Sequence, residues 1–107
     1  MSREEELRTR VELYPEDPFW PHTLGVYLLG QGRLAEAETA FLEALRRDPK
    51  YHATFYQLGL LYEQLGKEAE AIRYFREGEH LAEDARDLKL LHDFRRKLQL
   101  YLGLDET

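Results

Sequence analysis

The chain has no cysteine, which removes disulfides, thiolate metal ligands and thiol nucleophiles from consideration. Its only serine is Ser2, set at the opening of a helical pattern, so no serine is left for a nucleophile inside a fold. The four histidines, His22, His52, His80 and His92, are too widely spaced for two of them to act as neighbouring ligands on one helix face. No apolar run approaches the ~20 residues of a membrane span. No stretch alternates apolar and polar residues with the period of a strand. The glycines form no phosphate-cradling loop between a strand and a helix. Positive charge is also scarce: the net charge is −6, and a general nucleic-acid binder would need a basic face. These absences together argue against an enzyme, a cofactor, a bound metal, a nucleic-acid partner and a membrane. The opening Met-Ser-Arg-Glu-Glu-Glu is charged where a secretory signal would be apolar. With the missing cysteine, it leads to the expectation of a cytoplasmic protein.

Hydrophobic residues make up 43% of the chain and aromatics 12%, too many for a disordered polymer. With 107 residues, one domain is expected. Its most informative feature is an internal repeat. Leu24-Gly25 returns as Leu58-Gly59, Ala37 as Ala71, and Phe41 as Phe75, each 34 positions on. Gln31-Gly32 returns more loosely as Gln64-Leu65-Gly66. A fixed period of this size marks stacked helical hairpins.

Six helices follow from the punctuation. Ser2 with Glu5 forms a capping-box pattern ahead of Leu7, Val11 and Tyr14, and Pro15 and Pro18 close that segment. Asp17-Pro18 opens a second helix to about Leu29, which ends at Gly30-Gln31-Gly32. A third runs from about Leu34 to Arg47, a fourth from His52 to Leu65, a fifth from Glu68 to Leu81 and a sixth from Ala85 to Leu102. Gly103 reads as a stop and Leu104–Thr107 as a frayed tail. The basic clusters Arg46-Arg47 and Arg95-Arg96-Lys97 lie late in helices, where cations complement the helix dipole; Glu4-Glu5-Glu6 and Glu68-Ala69-Glu70 do the converse in first turns.

The hairpin period, Leu-Gly midway in the first helix, alanine and an aromatic in the second, and proline at the end resemble the tetratricopeptide repeat. The resemblance implies an all-α fold, a short right-handed helical-hairpin solenoid of about six helices. Residues 18–51 and 52–85 then form two repeats. Residues 1–17 form an N-terminal half-repeat helix, and 86–107 a capping helix and tail. Gly25, Gly59, Ala37 and Ala71 would let paired helices approach, and Phe41 and Phe75 would fill the space between one repeat and the next. Pro21 stands where the family often has an aromatic, a space for Trp20 to fill. Gly78 replaces the alanine of Ala44, and Glu83 the proline of Pro49, so the fifth helix has licence to run on.

The resemblance also implies a function: a protein-interaction adaptor that takes a partner segment, helical or apolar, in a concave groove lined by the first helix of each repeat. The groove residues would be Phe19, His22, Val26 and Leu29, then Tyr56, Gln57, Leu60 and Glu63, with Ala53 nearby. One branch of the family grips a peptide carboxylate with lysine, asparagine and arginine. The matching places here hold His22, Val26 and Gln57, so that ligand class is not implied. The alternative is a structural homodimer assembled through the last helix, with Leu90, Phe94 and Tyr101 open to a second copy.

Overall fold

The computed structural model describes residues 1–103; the expected tail, Leu104–Thr107, lies outside them. The order is α1 (Arg3–Leu13), α2 (Phe19–Gly30), α3 (Leu34–Arg47), α4 (His52–Gln64), α5 (Glu68–Asp84) and α6 (Leu88–Leu102). No strand occurs among the described residues, and the class is an all-α helical repeat. The chain divides into two compact units, Met1–Thr54 and the part from Phe55 onward.

In the first unit, α1 begins with the expected capping box. Ser2 Oγ accepts from the Glu5 N–H at 3.1 Å, and the Glu5 carboxylate accepts from the Ser2 N–H at 2.9 Å. The neighbouring glutamates do more than face the dipole. Glu4 takes both arms of Arg33, at 2.7 and 3.0 Å, and also Arg8 at 3.0 Å. The start of α1 is thereby tied to the start of α3. Its end is held by Arg47, whose side chain is only 7% exposed. The Arg47 guanidinium donates to the carbonyls of Val11 (3.2 Å), Tyr14 (2.9 Å) and Asp17 (3.1 Å), and to Glu43 (2.8 Å). It therefore serves the open carbonyl end of another helix, where its own helix dipole was the expected partner.

Asp17 stands one residue before Pro18, the N-cap of α2, and its carboxylate accepts from the Phe19 N–H at 2.9 Å. Pro21 does not leave a space for Trp20. It is fully buried itself, while Trp20 turns toward α1, 6.2 Å from the Tyr14 ring and 4.9 Å beneath the Arg10 guanidinium. Gly32 and Gly66 take φ of +75° and +73° after α2 and α4, which only glycine adopts freely.

Helix pairing rests on aromatic rings seated on glycines. A β-carbon on Gly25 would stand under 3.0 Å from the Phe41 ring. The same holds for Gly59 and Phe75 in the second unit. Each phenylalanine is wholly buried: Phe41 fills its own hairpin, and Phe75 fills its own and also meets Phe94 and Tyr101 of the helix that follows. In the second unit a third ring joins them. Phe94 of α6 sits on Gly78 of α5, within 3.0 Å of where its β-carbon would be. Gly78 is thus a seat for α6 and not merely a smaller version of Ala44.

Helix α5 runs to Asp84, past the expected Leu81, because Glu83 does not interrupt it as proline would. The chain then turns through Ala85–Asp87, so α6 starts at Leu88 and not at Ala85. Arg86 adopts φ +58°, and the Asp87 carboxylate accepts from the Leu90 N–H at 3.2 Å. Gly103 (φ +62°) ends α6 as expected.

Two results should follow from this packing. Gly25→Ala, Gly59→Ala and Gly78→Ala each press a methyl into a buried ring and should cost about 1–3 kcal/mol in urea unfolding. Gly30→Ala, at a helical position with open space around it, should be neutral or stabilising by up to ~1 kcal/mol. Equal effects at the four sites would contradict the ring-on-glycine account. Arg47→Lys, which cannot reach several carbonyls with one planar fork, should unfold at clearly lower urea than wild type.

Candidate protein-binding faces

The helix-forming pattern places Phe19, His22, Val26 and Leu29 along one stripe of α2. They are not equivalent. Phe19 is 44% and Val26 38% exposed, whereas Leu29 is buried. His22 is half-buried. Its Nδ1 lies 2.8 Å from Oγ1 of the fully buried Thr54, and its ring meets Phe41 at 6.0 Å and Tyr51 at 5.5 Å. Burial pushes its pKa down to about 4, so the imidazole is neutral near pH 7 and brings no charge to a ligand.

On α4 of the second unit, Gln57 and Leu60 are partly exposed. Tyr56 is half-buried, with its ring 5.7 Å from Phe75 and 5.4 Å from Phe94. Glu63 is engaged as well. Its carboxylate accepts from Lys97 Nζ at 3.0 and 3.1 Å and, in a short hydrogen bond, from the Tyr101 hydroxyl. Burial first, and then the hydrogen bond to Glu63, hold the Tyr101 phenol well above its ordinary range. Of the eight residues named from the sequence, Phe19 and Val26 are exposed, His22, Tyr56, Gln57, Leu60 and Glu63 are half-buried, and Leu29 is buried.

The residues named for self-association need correction. Phe94 is fully buried on Gly78 and Phe75, Leu90 is half-buried, and Tyr101 is tied to Glu63 and lies 6.3 Å from Phe75. The apolar residues that α6 does expose are Leu88 (74%) and Leu100 (80%). The tie of Lys97 and Tyr101 to Glu63 was missed because it spans 34 and 38 residues and joins groups of no recognisable spacing.

Among the described residues, no group of three or more histidines and carboxylates could hold a metal ion. No helix among the described residues is long and apolar enough to cross a membrane.

The family model for the tetratricopeptide repeat matches residues 22–86. The chain belongs to the tetratricopeptide-repeat family. It is 33% identical over 90 residues to the TPR repeat-containing thioredoxin TTL4 of Arabidopsis thaliana, a match that spans 84% of this chain and 13% of the plant protein. The crystal structure of a tetratricopeptide repeat domain protein from Salinibacter ruber is similar, with a TM-score of 0.75 and 30% identity over 83% of this chain and 99% of that one. A solution structure of a tetratricopeptide repeat domain protein from the same organism gives a TM-score of 0.75 and 31% identity over 87% and 94%. The crystal structure of MamA shares the fold alone, with a TM-score of 0.66 and 19% identity over 94% of this chain and 69% of that one. Tetratricopeptide-repeat proteins are generally non-catalytic modules for protein–protein interaction.

His22 gives this family member a pH signature. Its pKa is lower folded than unfolded, so between about 6.5 and about 4 the unfolded chain binds more protons. Stability should therefore fall as pH drops through that window, by at most ~3 kcal/mol and less for a ring that is partly exposed. Glu4 and Glu43, held at about 2 by their arginine partners, act in a separate window, between about 4.5 and 2. Urea midpoints of wild type and His22→Gln across pH 7 to 4 check the assignment. An equally steep decline in both would remove it.

Proposed function

We propose that this tetratricopeptide-repeat chain is an adaptor that binds a partner segment, helical or apolar, on the first-helix faces of its two repeats. The observation that supports it most is the outward display of Phe19 and Val26 on α2, while Leu24, Leu28 and Leu29 of the same helix are buried. Apolar side chains kept at the surface of a rigid helix suit the insertion of a partner's apolar residues. Gln57 and Leu60 offer the same mixture on α4. Both faces are built on helices locked by ring-on-glycine packing, so binding requires no large rearrangement. A cytoplasmic location belongs to the same proposal and draws on the cysteine-free composition, which suits a reducing compartment.

Assembly into a homodimer through α6 draws less support. Phe94 is withdrawn into the core, and two copies of α6 would bring together helices that each carry four cations and one carboxylate.

The experiment compares wild type with Val26→Glu, Leu60→Glu in affinity capture from lysate of the source organism, read by mass spectrometry. Tyr56 is left intact because its ring is part of the Phe75 and Phe94 packing. One protein held by wild type and lost at least about tenfold by the variant, with unchanged helical circular dichroism, is the expected result. Identical captured sets would sink the proposal.

A further inference from the structure

Helix α6 differs in charge from the rest of the chain. It carries Lys89, Arg95, Arg96 and Lys97 against the single carboxylate of Asp93, in a protein of net charge −6. Its buried side is Leu91, Phe94 and Leu98. On the opposite side, Lys89, His92, Arg96 and Leu100 fall at helical spacing along one ridge, all exposed, with Leu88 and Arg95 beside them. Leucines exposed by 74% and 80% among cations are unusual in a helix that buries its other apolar face so completely.

The cations are unequally committed. Lys97 is fixed to Glu63. Lys89 meets Asp93 at 3.3 Å, and Arg95 meets Glu79 at 3.0 Å and Glu83 at 3.5 Å, all in exposed pairs that hold weakly. Arg96 has no hydrogen-bond or ion-pair partner among the described residues. It stands at a depression of about 170 Å³ lined by Tyr56, Asp93, Lys97 and Leu100. A guanidinium that no described residue engages, beside a tyrosine ring and a leucine, is a place for a carboxylate next to an apolar side chain.

We propose that the outward ridge of α6 docks an acidic, leucine-bearing peptide segment of a partner protein, with a carboxylate on Arg96 and an apolar side chain against Tyr56 and Leu100. Charge complementarity selects this occupant. A second copy would oppose cation to cation. A flat anionic bilayer or a nucleic acid would bring many negative charges at once to a chain of net charge −6, and is repelled more than a short peptide. A narrow peptide meets α6 alone, whose 15 residues give a strip of roughly 22 Å, the span of about seven extended residues. The surface shares no residue with Phe19, Val26, Gln57 and Leu60 of the faces proposed above and stands independently of them.

The test is a titration of the whole chain, followed by amide chemical shifts, with a short synthetic peptide in which two leucines are flanked by glutamates. Its counterpart replaces each glutamate with lysine. The acidic peptide should move amides between Leu88 and Leu100, bind at least about tenfold tighter than the lysine peptide, and weaken as salt is raised. Lys89→Glu, Arg96→Glu should abolish binding with an unchanged melting temperature. Leu100→Ser, which alters no ion pair, should weaken it. Shifts confined to other helices, equal binding of the two peptides, or charge-reversed protein that binds as well as wild type would each overturn the proposal. So would protein that sediments with phosphatidylserine vesicles while ignoring the acidic peptide, an outcome that assigns the ridge to a membrane surface.

Discussion

A phenylalanine ring packed hard against a glycine is the contact on which the rest of this molecule depends. Helix axes carrying larger residues at the contact would stand farther apart, and each ring would lose the close dispersion contacts of a filled core. The contact occurs at Gly25 with Phe41, Gly59 with Phe75 and Gly78 with Phe94. It fixes which face of each helix turns inward, and so which residues are left to face a partner. Phe19 and Val26 remain outside because Gly25 has committed the other side of α2 to Phe41. Leu88 and Leu100 remain outside because Phe94 has committed the other side of α6 to Gly78.

Polar contacts then fix the ends that packing leaves loose. In the first unit, Glu4 with Arg33 ties the beginning of α1, and Arg47 satisfies the carbonyls at its end. In the second, Glu63 receives Lys97 and Tyr101 from the far half of α6. Arg47 is the most buried of these groups, and its worth lies in geometry as much as in charge. One planar fork meets three carbonyls near the end of α1 together with the Glu43 carboxylate of its own helix.

The repeat, the capping box at Ser2, the turn glycines and the all-α class were legible in the sequence because each depends on near neighbours or on a fixed period. The candidate binding stripe was legible only in part. Helical spacing placed Phe19, His22, Val26 and Leu29 on one face, but spacing does not reveal that Thr54 draws His22 inward or that Lys97 occupies Glu63. Those depend on partners more than thirty residues away. The role of Phe94 was recoverable. The three glycine and phenylalanine pairs share one separation, sixteen residues (25 to 41, 59 to 75, 78 to 94). Reading Gly78 by its place in the 34-residue period, as a stand-in for Ala44, hid its pairing with the helix that follows.

That common separation bears on how the chain reaches its structure. A loop of sixteen residues closes on the order of 10–100 ns, so each ring can find its glycine before distant parts of the chain have met. Two long polar ties among the described residues, Val11 to Arg47 and Glu63 to Tyr101, span 36 and 38 residues and lie within one unit each. A topology of such near-neighbour contacts places the chain among fast folders, with little time spent exposing its unusually aromatic core to aggregation.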